Sequence, residues 1–155
     1  MAAKRSRPTV ATTAAFWDTS AIVPLCCFQP QTSSASIAAR RYNPQIVWWV
    51  TAVEALSGFR RLLREKNLTI EGHQQAIQRL AYLQRRWSEI QPAEDIRDMA
   101  ERLLAVHPLR PADSLQLAAA LIWCSGRTRG RHFVCSDGIL CAAAELEGFT
   151  VVTVQ

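Results

Sequence analysis

The chain has 155 residues, a common length for one domain, and 49% of them are hydrophobic, which is enough for a core of ordinary size. The 18 Lys and Arg residues exceed the 13 Asp and Glu residues, and the net charge of +5 slightly favours a polyanionic partner. No segment is apolar for long enough to span a membrane, and residues 1–14 are basic without the apolar region of a secretory signal. We therefore expect a cytoplasmic protein with a disordered basic lead-in, residues 1–14, and a single domain, residues 15–155.

The cysteines and histidines argue against a disulfide framework or a zinc site. The five cysteines are odd in number and form no Cys-x-x-Cys motif, and the three histidines have no ligand-like spacing. We interpret the cysteines as small buried side chains in a reducing compartment.

The first predicted element is a strand that leads directly into a helix. The apolar run 14–17 predicts a buried strand that ends at Asp18. Thr19 or Ser20 is expected to cap the following helix, which would place Pro24 near its first turn. A carboxylate is thus expected where the first strand gives way to a helix.

The next segments predict a helix, a strand and another helix. Residues 32–42 predict a short helix, and residues 45–50, rich in β-branched and aromatic side chains, predict a second buried strand. Between residues 51 and 66 apolar side chains recur at helical spacing. Thr51 and Glu54 match the Thr-x-x-Glu capping box, so Glu54 has a structural explanation that competes with a catalytic one.

The middle of the chain predicts a helical hairpin. Amphipathic patterns cover residues 70–89 and 92–106, and two such helices in succession are expected to pack beside the main sheet. Pro111 then begins a helix that carries Asp113 in its first turn and is apolar on almost every side after Gln116. We expect this helix to be buried between layers.

The last part of the chain predicts a strand, a helix and a final strand. Residues 132–137 predict a strand that ends at Asp137, residues 138–148 a helix stopped by Gly148, and residues 149–154 the last strand. The complete order, β-α-α-β-α-α-α-α-β-α-β, predicts a three-layer α/β/α domain with a mostly parallel central sheet.

Four carboxylates are predicted to meet at one edge of this sheet. Binding sites in such sheets form beyond the carboxyl ends of the strands, where Asp18 and Asp137 lie. Glu54 follows the second strand by four residues, and Asp113 opens a helix. Each acid also has a local explanation, as a cap, a turn residue or a partner of a helix dipole. If each acid had only its local role, the meeting of all four at one edge would be a coincidence.

A cluster of carboxylates points to metal-dependent chemistry on phosphodiesters. Like charges raise one another's pKa unless a cation is present, and Mg²⁺ or Mn²⁺ takes oxygen ligands. Such ions activate water and stabilise phosphodiester displacement, which suits a site without His or Cys better than acyl transfer does. The sequence contains no phosphate-binding Gly-x-x-x-x-Gly-Lys loop, no dinucleotide Gly-x-Gly-x-x-Gly motif and no Gly-x-Ser-x-Gly elbow.

Four segments surround the acids. They are Phe16-Trp-Asp-Thr-Ser-Ala-Ile-Val, Val53-Glu-Ala-Leu-Ser-Gly-Phe-Arg-Arg, His107-Pro-Leu-Arg-Pro-Ala-Asp-Ser-Leu-Gln-Leu-Ala-Ala-Ala-Leu and Phe133-Val-Cys-Ser-Asp-Gly-Ile-Leu. In this order they resemble the four motifs of PIN-domain ribonucleases, particularly the VapC-like toxins of type II toxin–antitoxin systems. The resemblance covers about residues 15–154, and the third segment is the most specific. Cys135 and the bulky Trp48-Trp49 pair are small departures from the family pattern.

The resemblance implies a Mg²⁺- or Mn²⁺-dependent endoribonuclease with a PIN-like fold, an RNA substrate, a homodimeric state and a cognate antitoxin that covers the acidic groove. It maps the catalytic acids onto Asp18, Glu54, Asp113 and Asp137. Asp18, Asp113 and Asp137 would hold the metal directly or through water, while Glu54 would orient water or a second ion. The supporting polar residues carried over from the family are Thr19, Ser20 and Ser136.

Two arginines are candidates for contacts with RNA phosphates. Arg61 lies two helical turns after Glu54 on the same face, although a solvated surface arginine is the interpretation that the sequence favours. Arg110, three residues before Asp113, is a candidate for substrate contact or for pairing with an acid. Two other functions stay open: a catalytically silent PIN-like binding module, and a structure-specific DNA nuclease. The full set of acids argues against the first, and the lack of a long insertion argues against the second.

Overall fold

The structure is a computed structural model that describes residues 12–155. In this range a five-stranded, all-parallel sheet has the strand order β3-β2-β1-β4-β5. The strands are β1 Ala15–Trp17, β2 Gln45–Trp48, β3 Ser88–Ile90, β4 His132–Cys135 and β5 Thr150–Thr153. The helices are α1 Thr19–Cys26, α2 Thr32–Arg41, α3 Thr51–Arg64, α4 Ile70–Gln84, α5 Glu94–Val106, α6 Pro111–Trp123 and α7 Gly138–Leu146. The predicted three-layer α/β/α fold with a parallel central sheet is confirmed.

Alternating side chains on the strands build one hydrophobic core on each face of the sheet. Phe16 and Phe133, on neighbouring strands, stack with ring centroids 5.4 Å apart and pack with α5, α6 and α7. Trp17 and Val134, one position further along each strand, point to the opposite face and pack with α1 to α4. Because both faces are covered, β1 and β2 are buried throughout and β4 is buried in all but its first residue, which explains why these central strands read as apolar runs. The edge strands β3 and β5 are partly exposed.

The structure contains a strand that the sequence pattern does not reveal. Helix α4 ends at Gln84, five residues before the predicted end at Glu89, and β3 follows at Ser88–Ile90. This strand is only three residues long, lies at the sheet edge and pairs only with β2. Three partly exposed residues are too few to show a period of two. The helix predicted from the preceding residues was therefore extended over the strand.

The helical hairpin involves different helices from those predicted. Helix α4 packs against α3 and α1, whereas α5 packs against α6. Ala76 and Leu80 of α4 therefore share a core with Phe59 of α3, while Leu103 of α5 lies in the core on the other face. Strand β3 lies between α4 and α5 in the chain, and α5 lies on the opposite side of the sheet from α4.

Three local predictions at helix ends are wrong. Asp18 caps α1 in place of Thr19 or Ser20, and Pro24 lies inside that helix and not in its first turn. Val50 precedes α3 without a side-chain cap, and the hydroxyl of Thr51 is buried without a hydrogen-bond partner among the described residues. The capping box does not form because Val50, and not Thr51, is the N-cap, and the Glu54 N–H donates to the Val50 carbonyl at 3.0 Å.

The start of the described chain is held by a backbone contact. The predicted lead-in, residues 1–14, falls mostly outside the described residues, but within them the N–H of Thr13 donates to the carbonyl of Arg41 at 2.9 Å. Helix α7 ends as predicted before Gly148, whose φ of +97° is a left-handed conformation that favours glycine.

Among the helices of residues 12–155, none combines the length and hydropathy needed to cross a membrane.

Candidate active site

All four predicted acids line one cavity at the carboxyl edge of the sheet. Asp18 follows β1 and Asp137 follows the neighbouring β4, while Glu54 and Asp113 lie in the first turns of α3 and α6. The cavity has a volume of about 470 Å³. Its lining also includes Thr19, Ser20, Ser57, Gly58, Arg61, Arg64, Arg110, Pro111 and Ala112. Parallel strands thus bring together residues that lie up to 119 positions apart in the sequence.

Asp18 is the most buried of these acids, with 5% of the residue exposed. Its Oδ2 accepts a hydrogen bond from the Ser20 N–H at 2.9 Å, which leaves Oδ1 without a donor among the described residues. Burial raises the pKa of Asp18 to about 6, the bonds from Ser20 oppose this rise, and the charges of Glu54 and Asp113 add to it. A nearby cation would therefore stabilise the ionised form of the buried Asp18 carboxylate.

Glu54 is held by a three-way hydrogen-bond network. The Thr19 hydroxyl donates to Glu54 Oε2 at 2.6 Å, and Gln116 Nε2 donates both to that oxygen and to Thr19 Oγ1, each at 2.8 Å. Gln116 is 1% exposed, and its Oε1 is buried without a partner among the described residues. Sequence reasoning missed Gln116 as a site residue. The available signal was a lone amide at the start of an otherwise apolar helical segment.

Ser20 connects the first and last acidic segments. Its Oγ accepts a hydrogen bond from the Ser136 N–H at 2.9 Å. The next residue, Asp137, caps α7 because its Oδ1 accepts from the N–H groups of Ile139 and Leu140 at 3.0 and 2.9 Å. Of the supporting polar residues, Thr19 and Ser20 line the acidic cavity, and Ser136 lines an adjoining one.

Arg110 is the counter-ion of two acids. Its Nε donates to Asp113 Oδ2 at 2.9 Å, and its Nη2 lies 3.5 Å from Asp137 Oδ2. The hydrogen bond and charge of Asp113, together with the charge of Asp137, raise the pKa of Arg110. The Arg110 side chain is 75% exposed, so solvent screens and weakens these contacts.

Two further arginines face the cavity without an acidic partner. Arg61 and Arg64, on successive turns of α3, line the wall, and neither forms an ion pair within residues 12–155. A free guanidinium beside an acidic cavity can bind a phosphate while the acids bind a cation.

The donor set is suited to a hard divalent cation. The acids supply only oxygen ligands, and one oxygen of buried Asp18 has no donor in the described part of the chain. Within residues 12–155 no three acidic, His or Cys side chains converge closely enough to form a complete metal site. A bound ion would therefore need water or substrate oxygens as additional ligands, which is the usual situation for Mg²⁺.

The comparisons with known proteins agree with the fold. No protein-family model and no curated protein matches the sequence. A solved structure described as a toxin–antitoxin complex from Klebsiella pneumoniae contains a chain with a similar fold, with a TM-score of 0.59. The alignment covers 92% of this chain and 98% of that chain at 18% identity. Similarity at this level of identity shows that the fold is shared.

Proposed function

We propose that this protein is a metal-dependent endoribonuclease that acts in the cytoplasm as the toxin of a toxin–antitoxin pair. The observation that carries the proposal is one cavity in which four carboxylates from four elements lie beside two arginines without acidic partners. Acids that attract a cation and arginines that attract a phosphate, side by side, match the needs of phosphodiester hydrolysis.

In this proposal Asp18, Asp113 and Asp137 hold Mg²⁺ or Mn²⁺, directly or through water. When bound, the ion supplies Lewis acidity and lowers the pKa of water. Asp18 offers a buried carboxyl with one oxygen free of donors, and Asp137 offers Oδ2 because its Oδ1 is used by the helix cap. Asp113 becomes available when the exposed Arg110 side chain moves away.

The remaining residues orient the reactants. Thr19 and Gln116 fix Glu54 Oε2, so the other oxygen of Glu54 is the one that is available to accept a proton from an attacking water or to orient a second ion. Arg61 binds a backbone phosphate on the wall of the cavity, and Arg110 binds either an acid or the substrate. Fixing Glu54 in advance reduces the reorganisation that the reaction requires.

The biological role is proposed from the structural neighbour. That neighbour belongs to a toxin–antitoxin complex, and this chain has the same fold over almost its whole described length. A cognate antitoxin would then cover the acidic groove, and the toxin would be a homodimer. Light scattering of the purified chain, alone and with the protein encoded by the adjacent gene, measures both assemblies.

The central experiment measures cleavage of a mixed RNA in Mg²⁺ or Mn²⁺ by the wild-type chain and by Asp18→Asn. We expect cleavage that EDTA abolishes and that Asp18→Asn reduces by at least about 10²-fold, as for loss of a main electrostatic group. Asp98→Asn, which changes an exposed acid of α5 away from the cavity, is the matched control and should retain full activity.

Each other outcome has a distinct meaning. Equal cleavage by wild type and Asp18→Asn would assign the activity to a contaminant or to another site. No cleavage of any RNA, together with Mn²⁺ binding too weak to raise the melting temperature, would favour the catalytically silent module. Cleavage confined to structured DNA would favour the DNA nuclease.

A further inference from the structure

A second cavity continues the acidic cavity along α3. It has a volume of about 450 Å³ and shares five lining residues with the acidic cavity, which are Thr19, Ser20, Glu54, Gly58 and Arg61. Beyond them it is lined by Ser136 and by Gln29, Gln31, Val23, Pro30 and Leu62, and we call the part formed by the last five residues the amide subsite. Its size falls within the range of about 300–1,000 Å³ found for small-ligand sites.

The chemistry of the amide subsite differs from that of the acidic cavity. Gln29 and Gln31 are half-buried, and their side-chain amides form no hydrogen bond with any other described residue. Gln31 immediately precedes α2 but does not cap it, which leaves its amide available to the cavity. Val23, Pro30 and Leu62 supply apolar surface. A planar ligand with both donors and acceptors at its edge matches such a site.

Gly58 lies where the two cavities meet, and the fold gives no reason for a glycine there. It is inside α3, where glycine is a poor helix former, and its φ is not in the left-handed region. A Cβ at this position would meet Val23 Cγ2 at 3.6 Å, an ordinary van der Waals contact. The missing side chain widens the groove at its junction, which points to a ligand that passes from one cavity to the other.

We propose that the amide subsite binds the nucleobase next to the cleaved phosphate of single-stranded RNA, an inference that rests on the proposed ribonuclease function. The shared residues place this base directly beside the acids. Arg61, which lines both cavities, contacts the phosphate that links the nucleotide in the amide subsite to the nucleotide in the acidic cavity. Gln29 and Gln31 bind the base edge, so they determine sequence preference.

The subsite also selects the strandedness of the substrate. A base inside a cavity presents its Watson–Crick edge to the amides, and in a duplex that edge is already paired. Single-stranded RNA is therefore cut, whereas the same sequence annealed to its complement is protected.

The first test maps cleavage positions in a randomised single-stranded RNA by sequencing the product ends. Wild type should show a base preference at a position beside the cut, and the double variant Gln29→Ala/Gln31→Ala should lose it. For an oligonucleotide with the preferred base, KM should rise about tenfold in the double variant, since amide pairs to a base edge discriminate by about that factor or more. The fall in kcat should be smaller. Gln75→Ala, at an exposed position of α4 outside both cavities, is the control.

The second test uses Gly58→Ala. A methyl group at the junction should raise KM for RNA while the melting temperature rises, because alanine is the better helix former. A purely structural role for Gly58 predicts a lower melting temperature in this variant, which would overturn the argument from the groove.

The outcomes separate this inference from the proposed function. If the wild-type protein cleaves no RNA, the proposed ribonuclease function and the amide-subsite inference both fail. If wild type cleaves RNA but the double variant keeps the wild-type base preference and KM, the amide subsite alone is refuted. A loss confined to kcat would also refute it, because a base subsite acts mainly through binding.

Discussion

Replacing Asp18 with Asn should stabilise the metal-free protein at neutral pH. The native pKa of Asp18 is about 6, compared with an ordinary value of 3.8. Each pH unit between these values corresponds to about 1.36 kcal/mol, so ionised Asp18 costs the folded state about 3 kcal/mol. Asn removes the charge, and its side-chain oxygen can still accept the bond from the Ser20 N–H, since Asn is also a good N-cap.

The sign of this effect depends on pH. Below pH 3.8 the carboxyl is neutral in both the folded and the unfolded chain, so Asp18→Asn should change stability little. As the pH rises from 3.8 to about 6, the unfolded chain ionises first, the folded chain binds more protons, and the stability of the wild type relative to Asp18→Asn falls. Above about pH 6 the difference should be constant, with the variant more stable.

Thermal unfolding in EDTA at pH 4 and pH 7.5 measures the difference. For a chain of this length 1 kcal/mol corresponds to roughly 2–4 °C, so the advantage of the variant at pH 7.5 should be about 6–12 °C at most. Asp98→Asn controls for a general change of charge. Adding Mn²⁺ should stabilise wild type more than Asp18→Asn, since in the proposed function the ion binds the folded state through this carboxylate. A variant that is less stable at pH 7.5, or a difference independent of pH, would refute the assignment of Asp18 as an uncompensated buried carboxyl.

Three further substitutions test other parts of the site. Gln116→Leu should lower kcat at least about tenfold, the effect of losing one charge-assisted hydrogen bond to Glu54, and unchanged steady-state kinetics would exclude a positioning role for the amide. Arg110→Ala should tighten Mn²⁺ binding in calorimetry, because it removes the cation that pairs with two of the acids, and weaker binding would contradict competition between the arginine and the ion. Gly58→Ala should raise the free energy of unfolding in urea by about 0.5–1 kcal/mol, and a decrease would mean that the Cβ is not accommodated beside Val23.

The strand ends are the part of the site that the sequence predicts well. Asp18 and Asp137 each follow an apolar run, and a parallel sheet puts the carboxyl ends of its strands on the same edge. The strand order makes β1 and β4 neighbours, so the two acids are adjacent although they are far apart in the sequence. The class of fold, which the local pattern predicts, was enough to place both acids at one edge, whereas their adjacency depends on the strand order, which only the structure shows.

The elements that the sequence does not reveal depend on tertiary contacts. The strand β3 exists because it pairs with β2, and its three residues carry no period of their own. Gln116 is recognisable as a site residue only once α6 has brought its amide against Thr19 and Glu54. The Thr51–Glu54 capping box fails for a different reason: α3 begins with Val50 as its N-cap, one residue before the position that the box requires.

Helix capping and metal binding are not competing roles for the two acids at the strand ends. A carboxylate has two oxygens, and in both Asp18 and Asp137 one of them accepts backbone N–H bonds at the start of a helix. The cap fixes the rotation of the carboxyl group, and it thereby fixes where the second oxygen points. In Asp18 that oxygen has no donor in the described chain, and in Asp137 it faces the exposed Arg110 guanidinium. A capping box was expected at Glu54, yet it is Asp18 and Asp137 that are oriented by capping, which makes them the best-prepared ligands of the proposed site.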